Sequence, residues 1–401
     1  MIHTNHTVRK NNEAFILQTI INNIEISRAD LSKLTGLNKP SVSDIIKNLL
    51  HNHIINETRL GASSNTGGRK PILISFNAKV ASCIAINIDR DTIEFNLRYI
   101  DGTLIHSLIY DYDDFISLIE DFNSPKLINF LQSNINTLLS IDTDSFYGTK
   151  GISIAVHGIV KNDKIMFTPN YKLDELDLFS ELSSIYDIPI YINNEANLSA
   201  LGEYTYSSYS ESLISISIHS GIGAGVISNG NMLVGKKGSI GEIGHAIIYP
   251  NGKKCPCGNF GCLEQYISKK VIYDTLQEHF NKKINLSDII KYWNQKDPFV
   301  REFITKYVTL LSIQINNILC TLDPATIVIN GNLFFNISDL LPLLHKNLSN
   351  NLYTNANIKL STLKNDAILL GCVAQMARHF LKVEHLKLTN IFNANSAYPK
   401  A

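Results

Sequence analysis

The stretch from Gly241 to Glu264, GEIGHAIIYPNGKKCPCGNFGCLE, decides how the rest of the chain is read. It holds one histidine and three of the six cysteines, with a glutamate near either end. His245, Cys255, Cys257 and Cys262 form a one-His, three-Cys donor set, a composition typical of closed structural zinc sites. Gly252, Gly258 and Gly261 let the backbone turn tightly between ligands. Closely spaced thiols in a chain with no export signal are more often metal ligands than disulfides. The Cys255-x-Cys257 pair is tighter than the usual spacer of about two to four residues. Four reduced residues in an ordinary loop are therefore the alternative to zinc.

Composition sets the frame for this stretch. The 401 residues are enough for two or three domains, and 44% hydrophobic with 18% charged residues suits a soluble globular protein. The N-terminus carries no apolar signal core, and no apolar run is long enough to span a bilayer, so a cytoplasmic location without membrane contact is expected. Cys83, Cys320 and Cys372 stand singly in apolar surroundings and read as small core residues. The formal net charge is zero, but residues 1–80 hold ten basic and five acidic side chains. A basic first segment on an acidic remainder points to a polyanionic partner.

That first segment reads as a helix-turn-helix. Phe15, Ile16, Leu17, Ile20, Ile21 and Ile24 mark a first helix. Ser27 caps a short second helix, Arg28 to Thr35, with Ala29, Leu31 and Leu34 facing inward. Gly36 breaks the chain. Asn38 caps a third helix, with Pro40 tolerated in its first turn. Val42, Ile45, Ile46, Leu49 and Leu50 form its buried stripe, to about His53. The polar outer face suits a recognition helix in a major groove, with Lys39, Ser41 and Ser43 at base edges and Lys47 on a phosphate. Strands at Ile54–Thr58 and Ile72–Phe76 would flank a wing. Its Arg69 and Lys70 suit a narrow, A·T-rich minor groove. A three-helix bundle with no DNA partner is the plainer alternative.

From Ala81 the pattern changes to strands alternating with helices, the mark of α/β architecture with ligands at the carboxyl ends of strands. Strands are expected at Ser82–Asn87, Thr92–Tyr99, Gly151–Val156, Pro189–Ile192, Leu213–Ile218 and Ala325–Ile329. Helices are expected at Ile116–Leu139, Glu175–Tyr186, Ala196–Tyr204, Lys269–Phe280 and Glu302–Leu319.

The motifs TGGRKP, NNEAN, GIGAG, GEIGH, CPCGNFGCLE and INGN together resemble the ROK family (repressors, open reading frames, kinases), in the helix-turn-helix branch that includes xylose and N-acetylglucosamine repressors. The resemblance covers nearly the whole chain. It implies an N-terminal winged helix-turn-helix over 1–76 and a two-lobed, sugar-kinase-like α/β domain over 77–401, related to hexokinase, actin and RNase H. The lobes would span about 81–195 and 196–401, with the C-terminal helix able to return to the first. By motif position the implied sugar contacts are Asn194, Glu195, Glu242, His245 and Glu264. The implied activity is a sugar-responsive repressor of carbohydrate-utilisation genes, bound to a pseudo-palindromic operator as a homodimer or dimer of dimers. A phosphotransferase-system protein is an alternative effector. The sugar itself is not named by these residues, and xylose follows only from the branch.

An ATP-dependent sugar kinase is the rival function, and the phosphate loops argue against it. Ser220 to Gly225 partly keep the second loop. At the first, where the family's kinases have DIGGT, this chain has Asn87, Ile88, Asp89, Arg90 and Asp91. Both glycines are gone, and the aspartates would repel phosphate by on the order of 1–4 kcal/mol near 4 Å. Glu195 replaces the catalytic aspartate, one methylene longer. His157 stands where the family usually has proline. It reads as a capped surface residue in preference to a ligand contact.

Overall fold

The computed structural model describes residues 5–61, 70–119, 121–169, 171–209, 211–348 and 355–395. Arg69 and most of the expected wing tip lie outside the described residues.

The chain opens with α1 (Asn5–Asn23), β1 (Glu25–Ser27), α2 (Arg28–Thr35), α3 (Lys39–His51), β2 (Ile55–Leu60) and β3 (Ile72–Phe76). Side-chain caps fix both short helices. The Ser27 hydroxyl accepts the Asp30 N–H at 3.2 Å, and Asn38 Oδ1 accepts the Ser41 N–H at 2.8 Å. Gly36 sits between them at φ +69°, a conformation that side chains oppose. Val42, Ile45, Ile46 and Leu49 are buried against Ile16, Leu17, Ile20 and Ile21, while Leu50 is only partly buried. Two expectations fail on α2: Ala29 and Leu34 are exposed and only Leu31 is buried, because two turns present one position to this core. Strand β1 was not foreseen, since three residues show no period. It pairs with β3, which also pairs with β2, both antiparallel.

The remainder contains two five-stranded sheets built to one plan. The first comprises β4 (Ser82–Ile88), β5 (Thr92–Tyr99), β6 (Leu104–Asp111), β7 (Thr149–Val156) and, after the β8–β9 hairpin (Ile159–Lys161, Lys164–Phe167), β10 (Ile190–Asn194). Its order is β10-β7-β4-β5-β6. The second comprises β11 (Leu213–Ile218), β12 (Ile222–Ser228), β13 (Asn231–Met232), β14 (Thr326–Gly331) and β15 (Ile358–Leu360), in order β13-β12-β11-β14-β15. In each, three strands form an antiparallel meander and two later strands join the first in parallel.

Helices fill the crossovers. The expected helix at Ile116–Leu139 is two, α4 (Tyr112–Ile119) and α5 (Pro125–Leu139), because Ser124 caps the second and Pro125 opens it. After α6 (Leu178–Ile185) comes α7 (Glu195–Tyr206), all twelve residues of which are buried. The second half carries α8 (Glu264–Ile267), α9 (Lys269–Phe280), α10 (Leu286–Asn294), α11 (Pro298–Leu322), α12 (Asn332–Asn336) and α13 (Leu340–Asn347). Last come α14 (Ala367–Leu381), which packs on α7, β4 and β7, and α15 (Thr389–Asn395). Helices α7 and α14 meet through glycine: a Cβ on Gly371 would stand 1.8 Å from the Leu198 carbonyl oxygen. Cys83 and Cys372 are buried as expected, whereas Cys320 is exposed on α11. Among the described residues, no helix is long and apolar enough to cross a membrane.

Candidate ligand cleft and cysteine cluster

The cleft between the sheets is built on strand ends. Strand β10 delivers Asn194, whose side-chain oxygen accepts the N–H groups of Ala196 and Asn197 and so starts α7. Its amide nitrogen donates to Gly158 O at 2.8 Å and to Glu195 Oε2 at 2.9 Å. All four hydrogen-bonding positions of Asn194 are thereby used, and it offers a ligand none. Its effect is to hold Glu195, which is buried at the first position of α7.

Glycines in GIGAG bring α7 close. Sequence reasoning placed these residues in a phosphate loop, but Ile222–Ser228 is strand β12. A Cβ on Gly225 would lie 2.3 Å from the Ala196 carbonyl oxygen, and one on Gly223 would lie 3.0 Å from the Ala196 methyl. Gly241, at φ +93°, lies so near Ala224 O that a Cβ would stand 1.8 Å from it. Glu242 follows immediately. Glu264 at the start of α8 accepts the Ile222 N–H at 3.2 Å, and a Cβ on Gly221 would crowd that same oxygen at 3.1 Å.

Three carboxyl groups, from Glu195, Glu242 and Glu264, thus face one space, and the acidities of Glu195 and Glu242 record it. Burial and the nearby charges of Glu195 and Glu264 push Glu242 up to about 7. Burial also raises Glu195, with the His157 imidazole working against it. A site with raised carboxyls can donate as well as accept hydrogen bonds, as a hydroxylated ligand requires.

His245 joins this space to the cysteine cluster. Its Nε2 lies 3.9 Å from Glu242 Oε2 and its Nδ1 lies 3.5 Å from Cys255 Sγ. Cys257 Sγ and Cys262 Sγ are 3.7 Å apart, far beyond a disulfide. All four donor atoms lie within 4.8 Å of one another. A tetrahedron with metal–sulfur bonds of about 2.3 Å separates two sulfurs by about 3.8 Å and a sulfur from an imidazole nitrogen by about 3.6 Å. The cluster therefore fits a metal ion. Gln265 Nε2 reaches Cys255 Sγ at 3.6 Å, and the Cys255 N–H donates to Asn259 O at 2.8 Å. The Gly261 backbone, at φ +79°, passes so near Tyr249 O that a Cβ would stand 1.7 Å from it, and this turn delivers Cys262.

The family assignment follows from a comparison of this chain with known proteins. The ROK family profile matches residues 100–378. This chain belongs to the ROK family. It is 33% identical over 382 residues to the xylose repressor of Bacillus subtilis strain 168, covering 93% of this chain and 97% of that one. The fold matches the crystal structure of a ROK family transcriptional regulator, a homologue of the E. coli MLC protein, with TM-score 0.75 at 23% identity over 96% of this chain and all of that one. It also matches a ROK family glucokinase from Streptomyces griseus solved with glucose and AMPPNP, with TM-score 0.63 at 18% identity, over 74% of this chain and 99% of that one.

Two further groups of expected residues can be placed. On α3, Lys39 and Lys47 are exposed and Ser41 and Ser43 half-buried; Lys70, just before β3 in the chain, is exposed. At the expected first phosphate loop, Asp89, Arg90 and Asp91 form the β4–β5 turn, which reaches across the cleft. Ser220 Oγ donates to Asp89 Oδ1 at 2.8 Å, and Lys269 Nζ pairs with Asp91 at 3.2 Å.

His157 corrects the sequence reading. It is 6% exposed and no surface cap. Its backbone N–H donates to the Tyr171 hydroxyl, which donates to Ile88 O, so β7 and β4 are tied at their ends. Its ring lies between Glu195, Ser220 and Asp89 at 3.4 to 3.9 Å. The departure from the family's proline was the signal; only the structure gives the burial.

Proposed function

We propose that this protein is a sugar-responsive, DNA-binding transcriptional repressor of the cytoplasm. The observation that carries the reading is the joining, in one chain, of a three-helix unit exposing Lys39 and Lys47 to a cleft where Glu195, Glu242 and Glu264 converge. The xylose repressor of Bacillus subtilis, aligned over nearly both full lengths, supports it.

On this reading residues 1–76 are a winged helix-turn-helix. Helix α3 enters the major groove with Lys39, Ser41 and Ser43 at base edges, Lys47 meets a phosphate, and Arg69 and Lys70 reach the minor groove. Residues 77–401 bind the sugar. Glu195, Glu242, His245 and Glu264 hydrogen-bond its hydroxyls, and Asn194 orients Glu195. Zinc on His245, Cys255, Cys257 and Cys262 fixes the loop from which Glu242, His245 and Glu264 project. Buried polar groups of this kind discriminate sharply between sugars, because an analogue lacking a hydroxyl leaves them unpaired. Phosphoryl transfer is not part of the reading, because the ionised Asp89 occupies the first turn where phosphate would lie.

A covalent and hydrogen-bonded route links the two parts. Helix α7 begins at Glu195. Near its other end Tyr204 O accepts Lys387 Nζ at 2.7 Å. The Lys387 backbone exchanges two hydrogen bonds with the side chain of Gln18 on α1, at 2.9 and 3.0 Å, and Asn390 donates to Asn22 O at 2.6 Å. A shift of α7 on sugar binding is thereby transmitted to α1. A ligand that favours one arrangement by about 1–3 kcal/mol changes operator affinity about 5- to 150-fold.

The reading is tested first by melting the protein with pentoses, hexoses and amino sugars. A sugar that raises the melting temperature of the wild type but not of Glu264→Gln supports it. No stabilisation by any sugar would contradict it.

A further inference from the structure

Among the described residues, four buried side-chain polar atoms without a hydrogen-bond partner belong to residues around one cavity. Asn87 Oδ1, His157 Nε2, His219 Nε2 and Tyr307 OH are all orphaned, and all four residues line one cavity of about 300 Å³. They come from different elements: β4, the end of β7, the end of β11, and α11. Four separate parts of the fold have converged without pairing with one another. A buried polar atom left dry is costly, so such a set marks a space that something polar fills.

We propose that this cavity is a second ligand compartment that takes a neutral, polyhydroxylated ring, a sugar unit lying beside the one held by Glu195, Glu242 and Glu264. The inference rests on the sugar-responsive reading and extends it. His157 is the shared wall. Its Nδ1 faces Glu195 Oε1 at 3.7 Å, and the Ser220 hydroxyl donates its hydrogen bond to Asp89. His157 Nε2, 3.9 Å from Asp89 Oδ1, is left without a hydrogen-bond partner. Asn87 Oδ1 is an acceptor, and the Tyr307 hydroxyl can both donate and accept. Burial, with His157 nearby, lowers His219 to about 4, so its ring is neutral and offers one hydrogen bond of either kind. This mixture suits hydroxyl groups, each of which donates and accepts. Tyr273 lines the same space and gives it an apolar face, as sugar rings require.

The charges exclude a phosphorylated occupant. Burial works to raise Asp89, but His157, the Ser220 hydroxyl and the Arg90 N–H outweigh it and hold the carboxyl below its usual range. Asp89 therefore presents negative charge, and Lys269 is already engaged by Asp91. A nucleotide or sugar phosphate would meet repulsion here; a neutral ring would not.

The second ring could be a free sugar or the distal unit of a disaccharide. Isothermal titration of the full-length, zinc-loaded protein separates these. The probes are D-xylose, N-acetylglucosamine, their β-linked dimers and a non-hydrolysable ATP analogue. Two equivalents of monosaccharide per chain indicate separate rings; one equivalent of a dimer, bound more tightly than its monomer, indicates linked ones. Either result supports the proposal when Tyr307→Phe weakens the second equivalent, or the dimer, about tenfold and leaves the first monosaccharide unchanged. Tyr307→Phe removes only an unpaired hydroxyl, so its melting temperature without sugar should equal or exceed that of the wild type, which shows the fold intact. One monosaccharide equivalent, no gain for any dimer and no effect of Tyr307→Phe would mean that water alone fills the cavity, overturning the second compartment and leaving the first. Binding of the ATP analogue in the cavity, weakened by Tyr307→Phe, would overturn it as well. No sugar bound by the wild type at all would overturn the sugar-responsive reading and this inference together.

Discussion

The two five-stranded sheets share one strand order, yet their first hairpins carry opposite chemistry. The β11–β12 turn is His219-Ser220-Gly221, neutral and with one glycine, and it leaves the Ile222 N–H free to receive Glu264. The β4–β5 turn is Asp89-Arg90-Asp91, charged and without glycine, and it reaches over to Ser220 and Lys269. The shared topology sets where the cleft lies; the turn residues set what it accepts. On the proposed reading, this charged turn is what fits the cleft for neutral ligands.

The largest test of this contrast replaces glycine in the second hairpin. Gly225→Val should destabilise by about 3 kcal/mol or more in urea melts, because its side chain meets the α7 backbone. Arg90→Gly in the exposed first turn should change stability by less than about 0.5 kcal/mol. Similar effects at the two sites would erase the distinction.

The half of the chain with the second sheet also carries a His/Cys cluster that could hold a metal ion, and among the described residues the half with the first sheet carries none. Chelation of zinc, or Cys257→Ser, should weaken monosaccharide binding about 10- to 100-fold in calorimetry, since the loop bearing Glu242 and Glu264 loses its anchor. Affinity that survives complete metal removal would detach the cysteine cluster from the ligand site.

Acid–base behaviour separates Glu242 from Asp89 in sign. Glu242 is raised in the folded state from 4.5 to about 7, so its contribution to stability is full below about pH 4.5 and is lost as pH rises through 7. Fully buried Glu203 on α7, also raised to about 7 by burial, acts in the same direction. Asp89 is lowered, so its contribution is present above its unfolded value of 3.8 and is lost on acidification below it. Glu242→Gln should therefore stabilise the sugar-free protein at pH 8, by on the order of 2 kcal/mol, and barely at pH 4.5. Asp89→Asn should cost about 1 kcal/mol at pH 7 and little at pH 3. Denaturant midpoints across this pH range would show either slope, and equal slopes for the two variants would refute the contrast.

The smallest effect belongs to Lys269→Ala. Its pair with Asp91 is half-exposed and should contribute under about 1 kcal/mol, and less at high salt.

Much of this could be read from sequence, and the reasons differ by feature. Local chemistry was legible: Ser27 and Asn38 cap where their side chains predict, α9 spans its expected residues, and three thiols with an imidazole in one short stretch fall within 4.8 Å. Features set by tertiary context were not. The glycines of GIGAG look like a phosphate loop until α7 is seen against them. Asn194 looks like a ligand contact until its four partners are counted. His157 looks exposed because a strand end usually is, and the orphaned atoms of Asn87, His157, His219 and Tyr307 share a cavity although 220 positions separate the first from the last. The break between α4 and α5 is an intermediate case, written in Ser124-Pro125 but masked by apolar periodicity on either side.

The central claim is that sugar in the cleft governs DNA binding through α7 and α1. It is tested most directly by titrating the full-length protein onto its operator, with and without a sugar that raises its melting temperature. The account predicts that the sugar weakens operator binding at least about fivefold, and that Gln18→Ala reduces this effect while sugar affinity is kept. Operator affinity unchanged at saturating sugar would contradict it.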